Sequence, residues 1–218
     1  MPQSSHKSNS TYDACFVDPY SEGDLYLFKG DQVCKVDSAS DKRRQEPQKI
    51  SQWRSQYPFS DGIDACFVDP YSKGDLYLFR GDQVCKVDSA SDKRRQEPQK
   101  ISQWRSQYPF SDGIDACFVD PYSKGDLYLF RGDQVCKVDS ASDKRRQEPQ
   151  KISQWRSQYP FSDGIDACFV DPYSKGDLYL FRGDQVCKVD SASDKRRQEP
   201  QKISQWRSQY PFLRAMFA

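Results

Sequence analysis

The residues able to do chemistry in this chain are eight cysteines, many aspartates, four Lys-Arg-Arg clusters and one histidine, His6. A general acid–base site needs a histidine or a pair of carboxylates with displaced pKa values. His6 stands near the N-terminus, and the carboxylates fall in turn-like stretches. No Ser-His or Cys-His pair is available beyond it. The residues therefore point away from an enzyme, and no catalytic residue is assigned. The cysteines come as Cys66 with Cys85 and the copies of that pair. Zinc would call for CxxC spacing or histidines, and neither occurs within the repeats. Arg80-Gly81-Asp82 matches an integrin-binding tripeptide, but the equivalent in the first unit is Lys29-Gly30-Asp31. A hairpin turn accounts for Gly-Asp without a partner. Lys93-Arg94-Arg95 is balanced by Asp92 and Glu97 and reads as a solvated loop. Its alternative, a precursor cut at each basic cluster to release peptides, requires a secretory route.

The elements that position these residues repeat. Gly62-Ile63-Asp64-Ala65-Cys66-Phe67-Val68 recurs at Gly113 and Gly164, each time 51 residues on, and a variant, Thr11 to Val17, opens the series. The units are 12–62, 63–113, 114–164 and 165–218, the last including a short non-repeating end. A unit of this size buries too little surface to be comfortably stable alone. Its period and strand content predict a closed array, such as the blades of a propeller.

Within unit two, Ile63–Val68 reads as a strand with Ala65 and Phe67 on one face and Asp64, Cys66 and Val68 on the other. Leu76–Phe79 is apolar on both faces, as an inner strand should be. Gly81 can take positive φ in the turn that follows. Gln83–Asp88 alternates and reads as a third strand. Ser89–Glu97 reads as an outer loop or frayed edge. Ile101, Trp104 and Tyr108, three and four apart, fit a short amphipathic helix or an outer strand with a helical turn. With a strand between them, Cys66 and Cys85 lie about 9–10 Å apart, beyond the ~7 Å reach of a disulfide. Buried free thiols are the expectation.

Net charge is +1, so nucleic acid is not an expected partner. No apolar run approaches the ~20 residues that span a bilayer, and no membrane partner is expected. Residues 1–11 read as a disordered tail without an apolar signal core. That implies a cytoplasmic protein, or a recombinant one if engineered, because near-identical units imply recent duplication or deliberate design. A monomer or weak homo-oligomer is expected.

Ile-Asp-Ala-Cys-Phe, then Gly-Asp-Leu-Tyr-Leu-Phe-Arg-Gly-Asp, then a lysine-containing strand, then Pro-x-x-Ile-Ser-x-Trp resembles the haemopexin-like repeat. The lead-in Phe-Ser-Asp-Gly-Ile-Asp-Ala is most similar to its plant seed albumin and fungal branch. The resemblance runs from Tyr12 to about Phe212. It implies an all-β, four-bladed propeller with four-stranded antiparallel blades. Animal members close the ring with a disulfide. This chain has no cysteine outside the repeated pairs, so its closure must be non-covalent.

The resemblance also implies a site. The first strand of each blade lines a central tunnel whose backbone carbonyls hold cations. The matching positions are Asp13, Asp64, Asp115 and Asp166, with Cys15, Cys66, Cys117 and Cys168. Amide N–H groups between them, at Ala14, Ala65, Ala116 and Ala167, would hold an anion such as chloride. Calcium or sodium suits an all-oxygen shell. Relatives are associated with polyamine and haem binding, but the folded part lacks the histidines for bis-histidine haem ligation, and haem is not expected. The function this suggests is a non-catalytic binding module with an ion-binding tunnel and a small ligand. The alternative is a symmetric scaffold, natural or engineered, with no ligand.

Overall fold

The computed structural model describes residue 7 and residues 9–213. Four antiparallel four-stranded sheets form its blades. Blade one holds β1 (Ala14–Val17), β2 (Asp24–Lys29), β3 (Gln32–Asp37) and β4 (Arg43–Lys49), followed by the short helix α1 (Ile50–Trp53). Blade two repeats this as β5 (Ala65–Val68), β6 (Asp75–Arg80), β7 (Gln83–Asp88), β8 (Arg94–Lys100) and α2 (Ile101–Trp104). Blade three holds β9 (Ala116–Val119), β10 (Asp126–Arg131), β11 (Gln134–Asp139), β12 (Arg145–Lys151) and α3 (Ile152–Trp155). Blade four holds β13 (Ala167–Val170), β14 (Asp177–Arg182), β15 (Gln185–Asp190), β16 (Arg196–Lys202) and α4 (Ile203–Trp206). The first strands β1, β5, β9 and β13 contact one another in a ring. This is a four-bladed β-propeller.

Alternation along the strands explains the ring. In blade two, Ala65, Phe67, Tyr77 and Phe79 join one apolar cluster, shared with blade three. Cys66, Leu76, Leu78 and Cys85 join another, shared with blade one. Each blade thus buries both faces, and only a neighbour on each side can cover them. The last cluster joins blade four to blade one through Ala167, Phe169 and Phe181 on one side and Cys15, Leu25 and Leu27 on the other.

Closure is non-covalent. Tyr12, where the other units have isoleucine, is fully buried. Its ring stands edge-on to Phe181 at 5.1 Å, and its hydroxyl donates to the Pro211 carbonyl at 3.2 Å. The Asp41 carboxylate accepts from the Ser208 hydroxyl at 2.7 Å and the Gln209 N–H at 2.8 Å. The same pattern joins Asp92 to Ser55 and Gln56 between blades one and two.

Two readings of the repeat need correction. From Arg94 to Glu97 the edge alternative holds and the loop does not: with Pro98, Gln99 and Lys100 these residues form the outer strand β8. It carries no apolar alternation because it is an exposed edge, where charge and proline discourage pairing with another chain. A bulge around Lys86 bends the ladder there. The first strand is also shorter than Ile63–Val68, beginning at Ala65. The Ile101–Trp104 segment is a helix of one turn. Trp104 covers Tyr77 and Phe79, with ring centroids 5.1 and 5.9 Å away.

Candidate functional site

Each blade's first strand is preceded by an aspartate whose side chain is committed elsewhere. Asp64 Oδ2 accepts the Gly81 N–H at 2.7 Å, and Oδ1 accepts from Arg80 Nη1 at 2.9 Å. Gly81 holds φ at +54°, the left-handed conformation that the two-residue hairpin between β6 and β7 requires. Arg80 also reaches Asp61 at 3.4 Å. Burial works against the Arg80 charge, but Asp64 and Asp61 outweigh it and hold its pKa above the ordinary value. The Arg-Gly-Asp tripeptide is thus a turn whose arginine is already paired. Asp115 with Arg131 and Asp166 with Arg182 repeat the arrangement at 2.8 and 2.9 Å.

With the carboxylates turned aside, three of the aspartate carbonyls converge on one point. Lys7 Nζ donates to the carbonyl oxygens of Asp13, Asp64 and Asp115, the last at 2.6 Å. Three blades therefore present main-chain oxygen to a single point. A cavity of 310 Å³ opens beside it, lined by Lys7, Asp115, Gly132, Asp133, Asp163, Asp166 and Arg182. Asp166, at the equivalent position of blade four, borders this cavity.

One step along the strands lie Ala14, Ala65, Ala116 and Ala167, all buried. The next residues are the buried cysteines. Cys66 Sγ donates to the Cys15 carbonyl at 3.4 Å, Cys117 to Cys66 at 3.3 Å, Cys168 to Cys117 at 3.4 Å and Cys15 to Cys168 at 3.3 Å. These four bonds make a closed circuit around the axis. Burial pushes all four thiols up, Cys117 to about 12. They stay protonated at neutral pH, as a donating S–H must. The sulfur thus has a role beyond packing, and the cysteine carbonyls already have a donor. At the far end, Cys, Phe and Val residues of all four first strands line an apolar mouth of 220 Å³.

The eight cysteines are buried and free. Among the described residues, no group of three or more His, Cys, Asp or Glu side chains is placed to hold a metal. Residues 1–6, which include His6, lie outside the described residues. Of the expected tail, Thr11 donates its N–H to the Gly183 carbonyl at 3.0 Å.

Sequence reasoning missed Lys7, which no repeat signal marks. It read the basic cluster as a solvated loop. In the strand, Arg94 pairs with Glu97, and Arg95 pairs with Asp75 and Asp88. It also missed an inter-blade latch, in which the Tyr71 hydroxyl donates to the Lys124 carbonyl at 3.1 Å.

The fold is a four-bladed propeller like that of solved plant seed proteins, and the chain is similar to plant seed albumins, as the repeat suggested. The chain is 28% identical over 147 residues to albumin-2 of Lathyrus sativus and 30% identical over 86 residues to albumin-2 of Pisum sativum. Those matches cover 60% and 37% of this chain, and 60% and 36% of the two albumins. Among solved structures, the hemopexin fold protein CP4 from cow pea superposes with a TM-score of 0.83 at 23% identity, covering 95% of this chain and 99% of that one. A plant lectin with two metal binding sites from Cicer arietinum superposes at 0.78 and 21% identity, covering 89% and 94%. No known family profile matches the chain.

Proposed function

We propose that this chain is a non-catalytic binding module whose central tunnel holds cations in a ring of main-chain oxygen. The observation that carries this is the convergence of the Asp13, Asp64 and Asp115 carbonyls on one cationic nitrogen. Such an all-oxygen donor set suits a small hard cation. Buried carbonyl oxygen without a partner is costly, and a cation relieves that cost. Asp166 completes the ring in this reading. The Cys15, Cys66, Cys117 and Cys168 carbonyls form a second ring, and the amides of Ala14, Ala65, Ala116 and Ala167 offer an anion such as chloride a place between them. The metal sites described for the Cicer arietinum lectin support an ion-holding propeller. Calcium or sodium fits the donor set, and the apolar mouth would take a small ligand.

The test is a crystal of the Lys7→Met protein grown with calcium and measured for anomalous scattering, beside calcium calorimetry of the same protein. A peak on the axis, ringed by the aspartate carbonyls, is the expected result. No peak and no heat would sink the reading and favour the scaffold without a ligand.

A further inference from the structure

We propose that Lys7 is the resident cation of the axial ring, a tethered ammonium that a free metal ion must displace. The inference rests on the ion-holding reading of that ring and names what regulates it. An ammonium has three donors and no acceptor, and Lys7 directs its Nζ to three carbonyls from three blades. It is not there as the partner of a carboxylate. Asp64, Asp115 and Asp166 are paired with Arg80, Arg131 and Arg182, and Asp13 with Lys29 at 3.0 Å. The Lys7 charge faces neutral oxygen, as a metal ion's would. Three donors serve three oxygens of a four-blade ring, whereas a spherical ion can meet all four.

The segment that delivers Lys7 is fastened to the propeller. The Ser10 N–H donates to the Lys7 carbonyl at 3.1 Å. Lys29 Nζ donates to Ser10 Oγ at 3.1 Å, and Ser10 Oγ lies 2.7 Å from Asp13 Oδ1. The start of the chain departs from the repeat at these positions. Ser10, just before unit one, stands 51 residues ahead of Asp61, and Lys29 stands 51 ahead of Arg80. The two departures touch each other, so the seat for the segment is specific to this end of the chain. Holding the amine so close gives it a millimolar or higher effective concentration at the ring. If the ring is open about a tenth of the time, a metal ion's apparent affinity is about tenfold weaker than the ring's own.

Two measurements on the full-length protein test this. The first labels amines with an acetylating N-hydroxysuccinimide ester in ion-free buffer and follows each lysine by peptide mass spectrometry. Lys7 should label at least about tenfold more slowly than exposed Lys42, and added calcium should speed its labelling as the amine is displaced. Labelling at the rate of Lys42 would overturn the proposal. The second is calcium calorimetry of the native protein and Lys7→Met, where the variant should bind about tenfold or more tightly. Equal affinities would overturn the competition. A protected Lys7 with no calcium bound by either protein would defeat the ion reading of the ring and leave Lys7 as its permanent plug.

Discussion

Cys66 gives its thiol hydrogen to the carbonyl of Cys15, 3.4 Å away in the preceding blade, and Cys15 gives its own to Cys168 across the closure. One residue type, repeated once per blade, thus stitches all four blades at the axis. Removing one donor leaves a buried carbonyl short of a partner. Cys66→Ala should therefore cost about 1 kcal/mol or more of stability, read from urea unfolding. An unchanged midpoint would show that the thiol circuit contributes nothing.

The thiols should be silent until the protein unfolds. All eight cysteines are buried, and burial pushes Cys34, Cys85 and Cys187 up to about 12. A disulfide-exchange reagent at neutral pH should find almost no reactive groups in the native protein. In denaturant without reductant it should find close to the eight that the sequence contains. A count near zero after unfolding would mean disulfides.

Gly125 and Tyr71 form a latch that a single methyl should break. Gly125 holds φ at +88°, and a Cβ there would lie 2.1 Å from the Tyr71 hydroxyl oxygen. Gly125→Ala should destabilise by about 2 kcal/mol through backbone strain and overlap together. Adding Tyr71→Ala should recover part of the loss, because only the overlap is relieved. Strictly additive effects in that double-mutant cycle would rule out the contact.

Side chain and main chain of the ring aspartates should separate on mutation. Asp64→Asn weakens the hold on Arg80 and Gly81 and should cost about 1–2 kcal/mol. Calcium affinity, measured in the Lys7→Met background, should barely change, because the ligand is the carbonyl. A large loss of affinity would place the carboxylate in the site.

Stability should be flat in the middle of the pH range and fall at both ends. Hydrogen bonds from Ser55, Ser106 and Ser157 hold Asp92, Asp143 and Asp194 below the ordinary 3.8. Their contribution is complete above the unfolded value and is lost as pH falls through the depressed folded value. Burial raises Tyr57, Tyr108 and Tyr159 above the ordinary 10.0, and cysteines such as Cys85 above 9.0. A raised group contributes stability in full below its unfolded value and loses it as pH rises toward the folded one. Melting temperature should hold from about pH 5 to about pH 8.5 and decline on either side. A rise above pH 9 would contradict these shifts.

The repeat by itself determined the architecture. A unit too small to stand alone, apolar on both faces of Leu76–Phe79, must be sandwiched, and four such units close on themselves. Alternation also showed which side of the first strand Cys66 and Ala65 take, and the strand lying between Cys66 and Cys85 put them beyond the reach of a disulfide. The outer strand β8 was hidden, because an edge strand with charged, exposed residues has no alternation to read. Contacts between blades were equally out of reach. Tyr71 meets Lys124, 53 residues on, and nothing local in either residue signals the other. Lys7 lies outside every repeat, and only the folded ring brings three carbonyls, from residues up to 108 positions away, to its nitrogen. Local pattern records which faces must be buried, since that depends on residue type alone. Which polar groups meet across the axis depends on how the blades close, and only the tertiary structure decides that.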